Sequence, residues 1–402
     1  MNLNSSFIVA LFVIGNIVGS GFFMLPAKLA PLGINLVYSW AIAGGMATVF
    51  AIMFGSLCML FPKSSVLSDY FNNPIFKKLV AIVYWISCIF GNTSLLVVIV
   101  ASLNFSNPVL VGAIIMSLLT IANGAVRYSV VARIEVLLTV IKFFILAGLP
   151  ISLFIINRDV FSLPVAQGTQ SDVFTIGISC MWAFLGIETA SIFGSGVAAR
   201  RGLLIGVISC TLLYVISSLL VVGSAPADEL ANSSMPFALL IRQFFGVGAE
   251  KYLGFLIAFT SFGALYGWVA ATSKMGLAYA ETNIFPKAFL KKANSDTSFL
   301  GLLVSSLASF AIFVCLSGMN INKQFNFTAD LCVYITLAIY AFCGYVLLRN
   351  SKKIFHYFIG LFSILSVVVS FVFNLEMAFF ALATMILVGL FIFYTHKLIA
   401  AK

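Results

Sequence analysis

Long apolar runs separated by short polar stretches organise this chain. Between Lys28 and Lys63 stand 34 residues without a charge, and between Lys78 and Arg127 stand 48. A helix needs about 20 apolar residues to cross a bilayer's hydrocarbon, so the second run holds two crossings, turned near Asn104–Pro108. Membrane β-barrels instead alternate apolar and polar residues over short segments. The pattern predicts an all-α membrane protein of twelve transmembrane helices. They fall at residues 6–31, 34–61, 77–103, 108–126, 130–157, 173–198, 203–224, 250–280, 299–318, 326–348, 354–374 and 377–396. The first span is too long and Gly-rich for a cleaved signal peptide and lacks its basic start.

Composition sharpens this. Of 402 residues, 62% are hydrophobic and 8% charged, with a mean hydropathy of +1.14. Soluble domains carry roughly 25% charged residues, so a soluble enzyme, a nucleic-acid-binding domain and a disordered chain are excluded. Lys and Arg favour cytoplasmic loops. With the N-terminus inside, the inner loops and C-terminal tail hold Lys63, Lys77, Lys78, Arg127, Arg133, Arg200, Arg201, Lys287, Lys291, Lys292, Arg349, Lys352, Lys353, Lys397 and Lys402. The outer loops hold Arg158, Arg242, Lys251 and Lys323. Both termini are therefore expected in the cytoplasm, and the net charge of +10 is mainly a topology signal rather than a nucleic-acid footprint.

The seven cysteines all fall inside predicted spans, and no CxxC or Cys/His metal spacing occurs. His356 and His396 sit near span ends, far apart. No nucleophile–base pair, metal site or cofactor is expected.

Two spans are interrupted by glycine. The first reads Gly15-Asn16-Ile17-Val18-Gly19-Ser20-Gly21-Phe22-Phe23. Glycine weakens a helix by about 1 kcal/mol relative to alanine, and unwound backbone inside hydrocarbon needs polar partners. The sixth span reads Trp182-Ala183-Phe184-Leu185-Gly186-Ile187-Glu188-Thr189, then Gly194-Ser195-Gly196. Either motif alone could serve only close helix packing. Glycine breaks at corresponding places in two halves point instead to a secondary transporter's binding site. Spans one and six are five apart, which suits two five-helix inverted repeats followed by two extra helices.

At these residues the chain resembles the amino acid–polyamine–organocation superfamily. It is most similar to the bacterial exchangers for putrescine/ornithine, arginine/agmatine and lysine/cadaverine. The resemblance runs from about residue 8 to about 348. It is carried by Gly15–Gly21 with Met24-Leu25-Pro26-Ala27-Lys28-Leu29-Ala30, by Trp182 through Ser191, and by Glu229-Leu230-Ala231-Asn232-Ser233. Gly267-Trp268 and Ile284-Phe285-Pro286-Lys287 continue it. It implies a leucine-transporter-type fold in one polytopic domain spanning 1–402. The repeats would occupy about 6–157 and 173–348, and the extra helices about 354–396.

The resemblance also implies a site. Ser20 and the amide of Gly21 would take the substrate carboxylate, and carbonyls of Ile17, Trp182 and Leu185 the α-ammonium. A distal cationic group would reach Asn92, Ser87 and Cys88 between the walls of Trp182 and Trp268, where an indole face attracts a cation. Tyr84 and Tyr340 read either as gate aromatics or as packing, and Asn92 either as a substrate contact or as a bond to a neighbouring helix. Glu188 follows the second break, where a carboxylate is costly unless paired, hydrated or protonated; it reads as a coupling residue or as a carboxylate bonded to unwound backbone. Lys142, mid-span in the fifth helix, looks like the lysine that sodium-independent relatives place where others bind Na⁺, or it snorkels from a span end. Lys274 has a weaker claim, and Asp330 reads as a gate or a loop residue. Departures stand on the cytoplasmic side, at Gly196–Gly202 and at Pro62–Ser68.

The expected function is secondary transport by alternating access in a bacterial inner membrane. The preferred form exchanges a cationic amino acid for a related amine or amino acid. A proton-coupled importer is the alternative, and a non-transporting sensor a remoter one. A channel would need a continuous polar pore lining. The partners are a small-molecule substrate and membrane lipid, and relatives in this branch often form dimers. The charge pattern makes one prediction: a cysteine placed at Lys78 stays unlabelled by an impermeant thiol reagent on intact cells and is labelled in inside-out vesicles. Labelling from outside would invert the topology.

Overall fold

The structure, a computed structural model, describes residues 10 and 13–400 except 16, 63, 65, 127–129, 131–137, 139, 189–195, 247 and 295. Lys63, Arg127, Arg133, Lys402 and the motif residues Asn16, Thr189–Ser191 and Gly194–Ser195 lie outside the described residues. So does the side chain of Ser20.

Described elements are almost all helical. In chain order they are α1 (Leu25–Leu29), α2 (Leu36–Leu60), α3 (Pro74–Leu103), α4 (Pro108–Ala125), α5 (Leu149–Ile156), α6 (Gln170–Ser179) and α7 (Gly196–Val222). After these come α8 (Ala227–Asn232), α9 (Pro236–Phe245), α10 (Ala249–Glu281), α11 (Phe299–Cys315), α12 (Ile321–Asn350), α13 (Ile354–Phe373) and α14 (Leu375–Ala400). Among the described residues eight runs are long and apolar enough to cross a membrane, one of them the kinked stretch Phe22–Leu60; Val140–Ile156 and Phe299–Cys315 are shorter apolar helices.

Local chemistry sets the ends. Asn73 accepts bonds from the amides of Ile75 and Phe76, with Pro74 at the first turn of α3. Asn107 with Pro108 starts α4 in the same way, and Ser298 and Asn320 cap α11 and α12. These side chains satisfy amides that the helix leaves unpaired. Asn104 closes α3 in the left-handed conformation, at φ 49°. Before α2 the chain turns at Gly33, with φ 52°; an added Cβ would lie 2.2 Å from the Pro164 carbonyl oxygen, so only glycine fits there.

Helix α2 packs along α7, α3 along α10, and α12 against both α3 and α13. The innermost helices, α3 and α12, are mostly buried. On α13 and α14 large apolar side chains such as Phe358, Phe362, Leu387 and Phe391 are exposed. An outer ring of that kind suits lipid and not water.

Three features differ from the sequence expectation. The stretch between spans seven and eight, read as an outer loop, contains α8 and α9. Phe237 of α9 packs edge-on against Phe22 and Phe23 at centroid distances of 5.8 and 5.2 Å, which seats it over the first broken span. At ten residues α9 is too short to read as a crossing. The inner loop expected around Arg200 and Arg201 is already the first turns of α7. Asp330 sits inside α12 with 8% of its surface exposed, which excludes the loop reading.

Candidate functional site

Both glycine-rich spans are broken where their sequences weaken the helix. In the first, Ile17 is helical, Val18 bends and Gly19 is extended (φ −91°, ψ 157°), after which Ser20–Met24 forms a 3-10 turn. In the second, α6 tightens into a 3-10 turn over Cys180–Phe184. Leu185 is then extended (ψ 137°), and Gly186 adopts φ 108°. A residue with a Cβ avoids that last conformation.

Each break frees backbone carbonyls. The Tyr214 hydroxyl, from α7, lies 2.9 Å from the Ile17 oxygen and 3.2 Å from the Ala183 oxygen, so its single hydrogen is shared between one carbonyl of each broken span. Its ring stacks on Phe22 at 4.5 Å and packs against Trp40 and Phe184. The Gly19 amide also donates to the Ile17 oxygen, at 2.6 Å, and the Leu185 amide to the Trp182 oxygen, at 3.3 Å. The carbonyls of Ile17 and Trp182, expected to be open to an ammonium, already carry protein donors.

Between the breaks lies a tight cavity of about 60 Å³. It is walled by Ile17, Gly19 and Phe22 of the first span and by Trp182, Leu185 and Glu188 of the sixth. Tyr84, Ser87, Cys88, Gly91 and Leu95 line it from α3, Trp268 from α10, and Cys332 and Thr336 from α12.

Glu188 is buried, at 4% exposure. Its carboxylate accepts from the Tyr84 hydroxyl at 2.5 Å, from the Gly186 amide at 3.0 Å, and from the Tyr340 hydroxyl. Phe50 and Phe54 hold the Tyr340 ring edge-on. The charge is thus spread over two phenols and one amide instead of being left bare in an apolar interior.

A second polar cluster joins α1, α6 and α12. Lys28 of α1 donates to Asp330 of α12 and to Ser179 of α6, each at 2.7 Å. The pair is largely buried, with side-chain exposures of 17% and 11%. Phe325, one turn from Asp330, packs edge-on against Trp182 at 6.1 Å.

The structure brings together most of the residues singled out in sequence. Ile17, Tyr84, Ser87, Cys88, Trp182, Leu185, Trp268 and Glu188 line one cavity, and Tyr340 stands behind Glu188. Both tryptophans face this interior space rather than the membrane rim. Ser20 and Gly21 open the 3-10 turn after the first break. Asn92 does not line the cavity; its amide nitrogen lies 3.4 Å from the Thr272 hydroxyl on α10. At 3.6 residues per turn it falls roughly 80° round α3 from the middle of the lining stripe. Lys142 is buried, with 1% exposure, and also stands outside the lining; that burial excludes snorkelling. Lys274 is on the exposed side of α10.

Sequence reading missed Phe22, Gly91, Leu95, Cys332, Thr336 and Tyr214. The stripe Tyr84, Cys88, Gly91, Leu95 has the spacing of one helix face, and Cys332 and Thr336 are four apart. Nothing in the sequence marks Tyr214, because its role depends on two distant breaks meeting.

A family model described as amino acid permease matches residues 5–401. A putrescine transporter, PotE, of Haemophilus influenzae is 27% identical over 348 residues, covering 79% of this chain and 78% of that relative. The PotE putrescine transporter of Escherichia coli K12 is 26% identical over 351 residues, covering 81% and 78%. A cadaverine/lysine antiporter of the same strain is 24% identical over 412 residues, covering 96% and 93%.

Removing one hydroxyl tests the clamp. Tyr214→Phe keeps the ring stacking and removes the hydroxyl shared by the two carbonyls, leaving Ile17 only the Gly19 amide, at a cost of about 1–3 kcal/mol. The purified variant should melt several degrees below wild type in detergent. An equal melting temperature would mean the hydroxyl bears no load.

Proposed function

The chain belongs to the amino acid permease family, and on that premise we propose that it is a secondary transporter that exchanges amino acids and related amines by alternating access. The preferred pair is a cationic amino acid against a related amine. The observation that carries this reading is the single cavity in which both helix breaks, Glu188, Trp182 and Trp268 meet. The names of the relatives, a putrescine transporter and a cadaverine/lysine antiporter, support the same substrate class.

In this reading the polypeptide crosses the inner membrane twelve times, with both termini in the cytoplasm. Two inverted five-helix repeats cover about 6–157 and 173–348, and two further helices cover about 354–396. Support comes from a break opening each half, and from the packing of α2 on α7 and of α3 on α10, second helix on second and third on third.

Ser20, Gly21 and the backbone of Leu185 would meet the amino-acid end of the substrate, with Ile17 in the wall beside them. Glu188 would attract its ammonium, and the indole faces of Trp182 and Trp268 would stabilise positive charge at short range. Ser87, Cys88 and Tyr84 would complete the wall. An ammonium arriving near Glu188 competes with the phenols of Tyr84 and Tyr340, so binding and the packing of α3 and α12 are linked. Phe325 on Trp182, backed by Lys28–Asp330, would form the outer closure, which must part for substrate to enter from outside.

The burial of Lys142 favours a second reading, import coupled to protons. A lysine buried in an apolar span is costly there, and such residues mark ion and proton pathways.

Proteoliposome flux separates the two. Labelled arginine, ornithine, lysine and putrescine should enter vesicles loaded with unlabelled substrate and fail to accumulate in empty ones. Entry into empty vesicles that collapses with a protonophore would replace exchange by proton coupling, and no flux of any substrate would remove both. Glu188→Gln should lower exchange about tenfold or more, because bonds to a charged group are worth about 1.5–3 kcal/mol each. Wild-type exchange in that variant would return Glu188 to a purely structural role.

A further inference from the structure

The far wall of the cavity has an unusual feature: a gap in a row of side chains. Along α3 the lining face runs Tyr84, Ser87, Cys88, Gly91, Leu95. At Gly91, mid-helix, no side chain stands between α3 and two other lining residues. A Cβ built there would lie 3.5 Å from the Cys332 sulfur and 3.7 Å from the Trp182 ring. These are ordinary van der Waals separations, so the backbone approaches no closer than a methyl allows, and packing does not require glycine here. Gly33 and Gly254, where an added Cβ would come within 2.2 and 2.5 Å of backbone oxygen, are glycines that packing does require. In a helix interior alanine is favoured over glycine. Gly91 is therefore neither a turn nor a close-contact glycine, and what it leaves is space in the cavity.

That space has a definite chemistry. Its neighbours are two thiols (Cys88 and Cys332), the Leu95 side chain and an indole; among the described lining residues the carboxylate is Glu188 alone. Asn92, the amide that would have greeted a distal charge, is turned to Thr272. Among the described lining residues no second carboxylate stands at this wall to pair with the charged end of a long substrate, so it discriminates by length and not by charge.

We propose that Gly91 is the specificity-determining position for substrate length. Its missing side chain admits the terminal part of an extended amino acid or amine between Cys332 and Trp182. This rests on the cavity being the transport site, as argued above. A methyl at residue 91 fits the fold and fills the place the substrate tip would take.

The test uses full-length protein in proteoliposomes with labelled alanine, serine, ornithine, lysine, arginine and putrescine. Gly91→Ala should raise KM for lysine and arginine relative to alanine and serine by about tenfold or more, the discrimination that a single methylene can impose. Leu95→Ala, one turn along the same face, should move the order the other way. Gly45→Ala, where an added methyl meets no atom within 4 Å, controls for stiffening a helix and should keep the wild-type order. A folded Gly91→Ala protein with the wild-type order, or with equal loss for every substrate, overturns the filter. If that variant does not fold, an unchanged order in Leu95→Ala overturns it instead. Wild-type protein that neither binds nor carries any of the six overturns the transport reading itself, and the filter with it.

Discussion

Backbone carbonyls freed inside a membrane must find donors, and in this protein one phenol hydrogen is shared between two broken segments of backbone. The Tyr214 hydroxyl reaches Ile17 in the first broken span and Ala183 in the sixth. Hydrocarbon offers no water to do this, and each unmet group would cost several kcal/mol. The same helix repeats the device. Ser217 donates to the Leu146 carbonyl within the π-helical stretch Phe144–Gly148, and Ser218 accepts from the Trp40 indole. Helix α7 is thus a hydroxyl-bearing strut that permits irregular backbone beside it. The cavity exists because those irregular segments are permitted.

Charge is handled with the same economy. The described interior of the bundle carries few ionised side chains, and the ones that bear on the cavity are held by several partners. Glu188 accepts from two tyrosines and a glycine amide, and Lys28 donates to both Asp330 and Ser179. Each cluster joins elements that are distant in sequence: α3, α12 and the sixth-span break in one case, α1, α6 and α12 in the other. A buried ion pair adds little net stability once desolvation is counted. Its value here is positional, because removing either partner would leave a bare charge. Parting such a cluster is costly when dry and cheap once water or a charged substrate replaces the partner. That asymmetry suits elements that have to open only when something enters.

Much of the fold was legible in the sequence because the bilayer imposes a simple rule, about 20 apolar residues between polar stretches. The bounds of α2, expected at 34–61, are Leu36–Leu60, and those of α3, expected at 77–103, are Pro74–Leu103. The two interruptions were legible as well, since glycine clusters have few other uses mid-span. Helix α9 was not legible, because ten residues ending at Gly246 resemble any outer loop until Phe22 and Phe23 are seen beneath Phe237. The pairing partners of Glu188 were open too. Tyr84 and Tyr340 are 256 positions apart, and both aromatics fit ordinary packing equally well.

By itself, then, the sequence determined the solvent each segment lives in, the places where helix must fail, and the residue types gathered near those failures. Hydrophobicity and backbone propensity act locally, so a linear reading captures them. Tertiary structure alone decided which side of a helix faces the cavity and which donors meet the freed carbonyls. It turned Asn92 to Thr272 while leaving Gly91 on the cavity wall one residue away. A rotation of about 100° per residue separates such neighbours, and the rotational setting of α3 is fixed by its contacts with α10 and α12. Those contacts are long-range in sequence, and only the folded chain brings them together.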